Sequence, residues 1–111
     1  MYVLHEPTAA SFEKVGIRGK IFPTQDLSAK TEFVIIETET GHETAIIEQQ
    51  SDFIYYVLAG EGFFEIRGEK EVCAAGDLVV IPAGSLFTYK GNLKMLLAVT
   101  PPWREEQETT V

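Results

Sequence analysis

The side chains suited to acid–base or nucleophilic chemistry are few in this chain of 111 residues. Its two histidines, His5 and His42, lie far apart in the sequence. Tyr55 and Tyr89 each lie in an apolar, aromatic stretch, and a phenol with its ordinary pKa of about 10 is better suited to give a proton than to take one. No nucleophile has a histidine beside it in the sequence. The sequence therefore assigns no catalytic residues.

The chain contains one cysteine, Cys73, within a short run that is typical of a strand. We expect it to be a small buried apolar residue, because no histidine stands near it to activate a thiolate. A single cysteine forms no internal disulfide and no cysteine-built zinc site, which favours a reducing compartment. The expected location is therefore the cytoplasm.

The formal net charge of −8 argues against nucleic acid or an anionic membrane as a partner, since both need a basic face. No apolar run approaches the roughly 18 residues that a membrane-spanning helix needs. Residues 1–11 have neither the cationic nor the apolar region of a signal peptide. We expect neither a nucleic-acid partner nor a membrane partner.

Short β-branched and aromatic runs, separated by Gly-rich or polar turns, dominate the rest of the chain. Their number, about eight, and their spacing are typical of a β-sandwich or a small barrel. Two of the turns, at 60–62 and 91–92, are predicted to be hairpins. The predicted strands cover 31–39, 42–49, 53–59, 63–67, 71–74, 78–81, 86–90 and 93–99, and a further short strand is expected within 17–23. The sequence therefore predicts an all-β domain.

One stretch, GDLVVIPAGSLF at 76–87, combines a buried-strand pattern with a sharp corner. Pro82 presets φ near −65° and Gly84 can adopt a positive φ, so the corner has a backbone basis.

The glycine and proline spacing resembles that of the cupin family, whose fold is a double-stranded β-helix, or jelly-roll barrel. Gly41 and Gly60 bracket the first cupin motif without a gap, and Gly76, Pro82 and Gly84 stand at the fixed positions of the second. The run YVLAGEG is similar to a strand-turn sequence common in cupins. The resemblance implies a jelly-roll cupin barrel.

The resemblance covers residues 31–103. Residues 1–30 are interpreted as an N-terminal arm with an edge strand, and 104–111 as an acidic tail. Trp103, just before the tail, is expected to pack back on the barrel.

The metal ligands of the family are missing from this sequence. The positions of the two histidines, the glutamate and the last histidine are occupied by Ile47, Gln49, Phe53 and Phe87. None of these is a suitable ligand for a first-row divalent metal, which prefers imidazole or carboxylate. We therefore expect no metal and no other cofactor. If 42–49 is a strand, alternation turns His42 outward and leaves Glu43, the only candidate general base, near the barrel mouth.

The same alternation predicts the chemistry of the barrel interior. Side chains from three strands point inward and form a mostly apolar and aromatic cavity with a few polar groups, as in many small-molecule sites. The predicted ligand-binding residues are Ile47, Gln49, Phe53, Tyr55, Phe87 and Tyr89. The alternative is that these side chains fill the barrel and leave no cavity.

Three functional interpretations follow from the sequence. The first is a metal-free cupin that binds a small, uncharged organic ligand as a homodimer. The second is a metal-independent isomerase, epimerase or lyase acting on a carbohydrate or a related metabolite through Tyr55, Tyr89 and Glu43. The third is a non-catalytic accessory or sensor protein. The homodimer is expected because Ile54 and its outward-facing neighbours form an apolar face.

Overall fold

The computed structural model describes residues 2–6, 9–24, 26–103 and 108–110, and almost all of its regular structure is β-strand. This confirms the predicted all-β class. None of its described elements is a helix long and apolar enough to cross a membrane. The strands are β1 (Ala10–Lys14), β2 (Ile17–Ile21), β3 (Glu32–Thr38), β4 (Ile46–Glu48), β5 (Asp52–Ile66), β6 (Glu69–Ala74), β7 (Leu78–Ile81), β8 (Leu86–Thr100) and β9 (Glu108–Thr110).

All the strand pairs are antiparallel, and the long strands β5 and β8 form the centre of the fold. One path of neighbours runs β1-β2-β3-β8-β4-β9, and β5 pairs with β6, β7 and β8. A straight strand of the length of β5 or β8 would span about 50 Å, yet the longest dimension of the molecule is 41 Å. Both strands therefore bend, and each contributes to two faces of a jelly-roll barrel.

Glycines make this bend possible, and here the predicted hairpins at 60–62 and 91–92 are wrong. Gly62 pairs directly with Gly91 inside continuous strands. Gly60 and Gly91 have φ values of 88° and 129°, a region that L-residues rarely adopt. A Cβ atom on Gly62 would overlap the carbonyl oxygen of Lys90. The glycines therefore mark a close crossing of two strands, where a turn had been expected.

The segment predicted as one strand at 42–49 is mostly a loop. Only Ile46–Glu48 forms strand β4, which pairs with β8 on one side and with β9 on the other. The Glu48 side chain is 2% exposed, and its carboxylate accepts the backbone N–H groups of Gln50 and Ser51 at 2.8 and 3.0 Å. Glu48 therefore stabilises the turn that leads into β5.

The hydrophobic core lies between the two curved walls of the barrel. Strand β3 shows the alternation clearly, since Val34 and Ile36 are buried at 4% and 2% exposure. The N-terminal hairpin β1–β2 pairs onto β3 and extends the same sheet. Trp103 packs against the core as expected, while the predicted tail includes residues 104–107 and 111, which lie outside the described part of the chain.

Candidate functional site

A cavity of about 330 Å³ occupies the barrel and opens to solvent on one side. This volume is at the small end of ligand sites, which span about 300–1,000 Å³. Aliphatic and aromatic side chains form most of its wall, and polar groups are concentrated in two places. One is the His–Tyr cluster, formed by His42, Tyr55 and Tyr89. The other is the mouth cluster, formed by Glu13, Lys14, Glu32 and Trp103.

Three of the six predicted ligand-binding residues line this cavity: Phe53, Tyr55 and Tyr89. Phe87 is buried at 2% exposure and packs edge-on against Phe53 with 5.7 Å between ring centroids. Phe87 therefore supports the wall from behind and is not part of the cavity lining.

The inward orientation predicted for Ile47 and Gln49 is wrong. Ile46 is the cross-strand partner of Phe87, and directly opposed residues on antiparallel strands share one face. Since Phe87 is buried, Ile46 faces inward and Ile47 faces away, while Gln49 is exposed. The prediction failed because the spacing of the cupin motif placed positions 47 and 49 inward, whereas 42–45 form a loop and only Ile46–Glu48 form a strand.

His42 corrects the sequence interpretation most sharply, because it was expected to face outward. It is 4% exposed and lines the cavity. Its backbone N–H donates to the Tyr89 carbonyl at 2.9 Å. Its own carbonyl accepts the Lys90 ammonium at 2.8 Å and the Thr88 hydroxyl at 3.1 Å. The loop is thus attached to β8 on both sides of the histidine.

The hydrogen bond of the His42 ring identifies the basic nitrogen. Nδ1 lies 2.6 Å from the carbonyl oxygen of Thr44. A carbonyl oxygen only accepts, so Nδ1 carries the hydrogen and the neutral ring has its lone pair on Nε2. The ring packs edge-on against Tyr89, with centroids 5.5 Å apart. This arrangement is that of an oriented general base.

The two tyrosines of the His–Tyr cluster contact each other, with ring centroids 5.5 Å apart. Tyr89 is fully buried, and its hydroxyl has no hydrogen-bond partner among the described residues. Burial raises the pKa of the Tyr89 phenol well above its usual value, and the neighbouring Tyr55 hydroxyl lowers this pKa by less than burial raises it. Tyr89 is therefore a neutral donor at any physiological pH.

The mouth cluster differs from the His–Tyr cluster because it contains charged groups. Burial raises the pKa of the Glu32 carboxyl, and a hydrogen bond from the backbone N–H of Trp103 offsets part of that rise. The Lys14 ammonium lies 4.8 Å from the centroid of the Trp103 ring, a cation–π distance. Glu43, which the sequence offers as the candidate general base, is exposed and is not part of the cavity lining.

The residues present do not fit a metal. Among residues 2–6, 9–24, 26–103 and 108–110, no three His, Cys, Asp or Glu side chains are grouped as a metal site would need. The family positions carry the apolar residues Ile47, Phe53 and Phe87 together with Gln49, which is not a donor set for a first-row metal. The absence of a metal and of any other cofactor stays a prediction.

The fold and the cavity together define a jelly-roll β-barrel of the kind that encloses a small molecule. The chain has the jelly-roll fold of the cupins. Solved structures that resemble it include an RmlC-like cupin from Shewanella frigidimarina, with a TM-score of 0.73, 16% identity, and coverage of 96% of this chain and 95% of the other. No protein-family model and no curated protein sequence matches the chain significantly.

A higher similarity is found to Pac13 from Streptomyces, described as a unique nucleoside dehydratase. Its structures superpose with a TM-score of 0.93 at 26% or 27% identity, over 100% of this chain and 90% or 91% of the other. Three of them are the H42Q, Y55F and Y89F variants of that protein with uridine. Ectoine synthase from P. lautus superposes with a TM-score of 0.77 at 16% identity, over 100% and 90% of the two chains.

His42 is a candidate functional residue that the sequence patterns did not place in the cavity. The signal that points to it is Gly41 immediately before it, which has a φ of 116° and packs against the Tyr89 carbonyl. A glycine in that conformation interrupts a strand, so alternation cannot be counted through it.

Proposed function

We propose that this protein is a metal-independent dehydratase acting on a nucleoside or a closely related sugar-bearing metabolite. The observation that carries the proposal is the His–Tyr cluster, in which an oriented imidazole and two phenols line one cavity of ligand size. The proposal belongs to the lyase branch of the second interpretation, with His42 as base in place of Glu43.

The similarity to Pac13 supports the proposal at the level of individual residues. The three substituted positions in the Pac13 variants with uridine are a histidine at 42 and tyrosines at 55 and 89. This chain carries His42, Tyr55 and Tyr89, the same residue types at the same numbers. All three line its cavity, so the correspondence extends from sequence position to spatial arrangement.

The geometry supports a mechanism in which one residue serves as base and then as acid. Nε2 of His42 takes a proton from carbon, a C=C bond forms as the C–O bond breaks, and the imidazolium returns the proton to the departing hydroxide as water. Tyr89 is a poor acid here, because a phenolate in its apolar surroundings would be costly. Its role in the proposal is to donate a hydrogen bond to a substrate oxygen while staying neutral.

The strength of the base limits the substrate. Imidazole removes a proton from carbon only where a neighbouring group acidifies that carbon, and a carbonyl is the usual group in a sugar. The proposed substrate is therefore a nucleoside whose sugar has been oxidised to carry a carbonyl group, with a hydroxyl on the carbon next to the acidic one. The mostly apolar wall favours an uncharged molecule.

The test is incubation of the protein with such an oxidised nucleoside, with loss of one water followed by mass spectrometry. Tyr55→Phe should reduce the rate about 10-fold or more, since it removes a polar contact in the His–Tyr cluster. Tyr56→Phe is the matched control, because Tyr56 is the next residue of β5 and faces away at 42% exposure. A rate unaffected by Tyr55→Phe, or no dehydration of any oxidised nucleoside, would contradict the proposal.

The second candidate is binding of an uncharged ligand without chemistry. The predominantly apolar lining is the observation that favours it, since one base and two phenols are also sufficient to orient a ligand. In that case the Tyr→Phe variants lower affinity by a few-fold, and no product forms with any substrate of this class.

The homodimer belongs to the proposal as well. An apolar outer face extends over β5 and β7, where Tyr56 pairs with Leu78 and Ile54 with Val80. Leu78 is 61% exposed and Val80 53% exposed, and water is an unfavourable neighbour for so continuous an apolar face. Light scattering at micromolar concentration should report twice the chain mass, and a mass of 12.4 kDa would contradict the dimer.

A further inference from the structure

The carboxyl group of Glu32 lines the cavity but has no role in the proposed dehydration. It is the first residue of β3 and faces the interior together with Val34 and Ile36, because these positions alternate with the outward ones. Its cross-strand partner on β8 is Val99, which in turn pairs with Phe53 on β5. Glu32 therefore lies on the row of inward residues at the mouth.

Glu32 is separated from the His–Tyr cluster by a distance suited to one small molecule. The next inward row contains Val34, Leu97 and Tyr55. Two residues along a strand span about 7 Å, and β3 and β5 are two strand spacings apart, about 10 Å. This spacing is compatible with a nucleoside whose sugar lies at His42 and whose base points toward Glu32.

The surroundings leave the Glu32 carboxyl with unused hydrogen-bond acceptor capacity. The backbone N–H of Trp103 donates to the carboxyl, whereas a carboxylate can accept about four hydrogen bonds. The other charged groups at the mouth are Glu13 and Lys14, and the Lys14 ammonium lies on the Trp103 ring. Two carboxylates and one ammonium make the mouth unfavourable for an anion.

We infer that Glu32 is a specificity-determining residue that accepts the imide N–H of a uracil-type base. The inference rests on the proposed function, because it assigns the sugar to the His–Tyr cluster. A carboxylate only accepts, so it pairs with the N3–H donor of uracil and not with the N3 lone pair of cytosine.

The test is calorimetric titration with uridine and 3-methyluridine. The wild-type protein should bind uridine roughly 10- to 100-fold more tightly than 3-methyluridine, because methylation leaves a partly buried carboxylate without its donor. Glu32→Gln should reduce the preference over 3-methyluridine to about 3-fold or less, since an amide can turn its donor or its acceptor to the ring.

Glu39→Gln is the matched control. It makes the same charge change at the end of β3, at a side chain that is 77% exposed and outside the cavity, and it should keep the full preference. If Glu32→Gln also keeps that preference, the inference is overturned. Should Glu32→Gln fail to fold, Glu32→Asp replaces it; the charge is kept and the carboxylate withdrawn by one methylene, so uridine affinity should fall while the preference keeps its direction.

The outcomes separate this inference from the proposed function. Dehydration of an oxidised uridine together with an unchanged preference in Glu32→Gln would overturn the inference alone. A strong uridine preference that Glu32→Gln abolishes, without dehydration of any substrate, would overturn the dehydratase and support the role of Glu32. No measurable binding of uridine by the wild-type protein would overturn both.

Discussion

The two ends of the cavity are built in different ways. In the His–Tyr cluster the side chains are almost fully buried, and the His42 backbone is held on both sides by β8. In the mouth cluster Glu13 and Lys14 are exposed, and contacts such as that between Lys14 and Trp103 are made by long side chains. In the proposed function the buried end supplies the fixed geometry that proton transfer needs, and in the further inference the open end supplies the group that selects the ligand. Substitutions at the two ends should therefore affect different measured quantities.

The largest effect is expected from His42→Gln. Loss of the only base in the cluster should lower the dehydration rate constant by about 10²- to 10⁴-fold, while uridine affinity changes by a few-fold. Pre-steady-state kinetics and calorimetry separate the two quantities. His5→Gln is the control, because His5 lies outside the cavity lining. An equal loss in rate and affinity would remove the distinction between the two ends.

Tyr89→Phe should lower activity and yet leave the fold at least as stable. The phenol that is removed is buried without a hydrogen-bond partner among the described residues, and such a group costs about 1–3 kcal/mol. We expect the free energy of unfolding to rise or stay unchanged in urea titrations, with a rate loss of about 10-fold. A clear loss of stability would show that the Tyr89 hydroxyl has a structural partner.

Glu32→Gln should have a pH-dependent effect on stability. Burial raises the Glu32 pKa above its usual value of 4.5, so the charged form destabilises the folded state. That cost is fully present at neutral pH and is lost as the pH falls through the raised pKa. The variant should therefore be slightly more stable than wild type at pH 7, and the difference should vanish below about pH 4. A difference that does not vary with pH would assign the effect to packing.

Removal of metal is expected to have no effect. Dialysis against a chelator should leave the dehydration rate unchanged, because the residues at the family positions are not metal ligands. Elemental analysis of protein purified without chelator is the matching measurement. One tightly bound transition metal per chain would contradict the mechanism proposed for both ends of the cavity.

Sequence patterns predicted the regular parts of the fold and missed its irregularities. The β-branched run of β3 and the alternation around Tyr55 and Tyr89 were predictable, because inward and outward positions repeat every two residues within a strand. His42 was not, because its orientation depends on a loop that starts at Gly41 and is held by contacts from β8. Periodicity contains no information on such a contact.

At two glycines the sequence signal predicts a turn that the structure does not have. Gly60 and Gly91 are typical turn residues, and local propensity predicts hairpins where the structure has two bent strands in contact. Whether a glycine reverses the chain or lets two backbones approach depends on the partner strand, which is distant in the sequence. Tertiary contact therefore overrides the local signal at these positions.

The crossing of β5 and β8 also has a consequence for the order of folding. The pair is closed by the shortest loop at Ile66 and Phe87, and its far end is the pairing of Asp52 with Thr100, next to Phe53 and Val99 at the cavity. Loop-closure entropy favours starting at the short-loop end and extending through Gly62. On this hypothesis Phe64→Leu, near the short-loop end, mainly slows folding and Val99→Ala mainly speeds unfolding, which chevron kinetics can measure. The reverse result would contradict this order of folding. If the order holds, the wall of the cavity is the last part of the barrel to form.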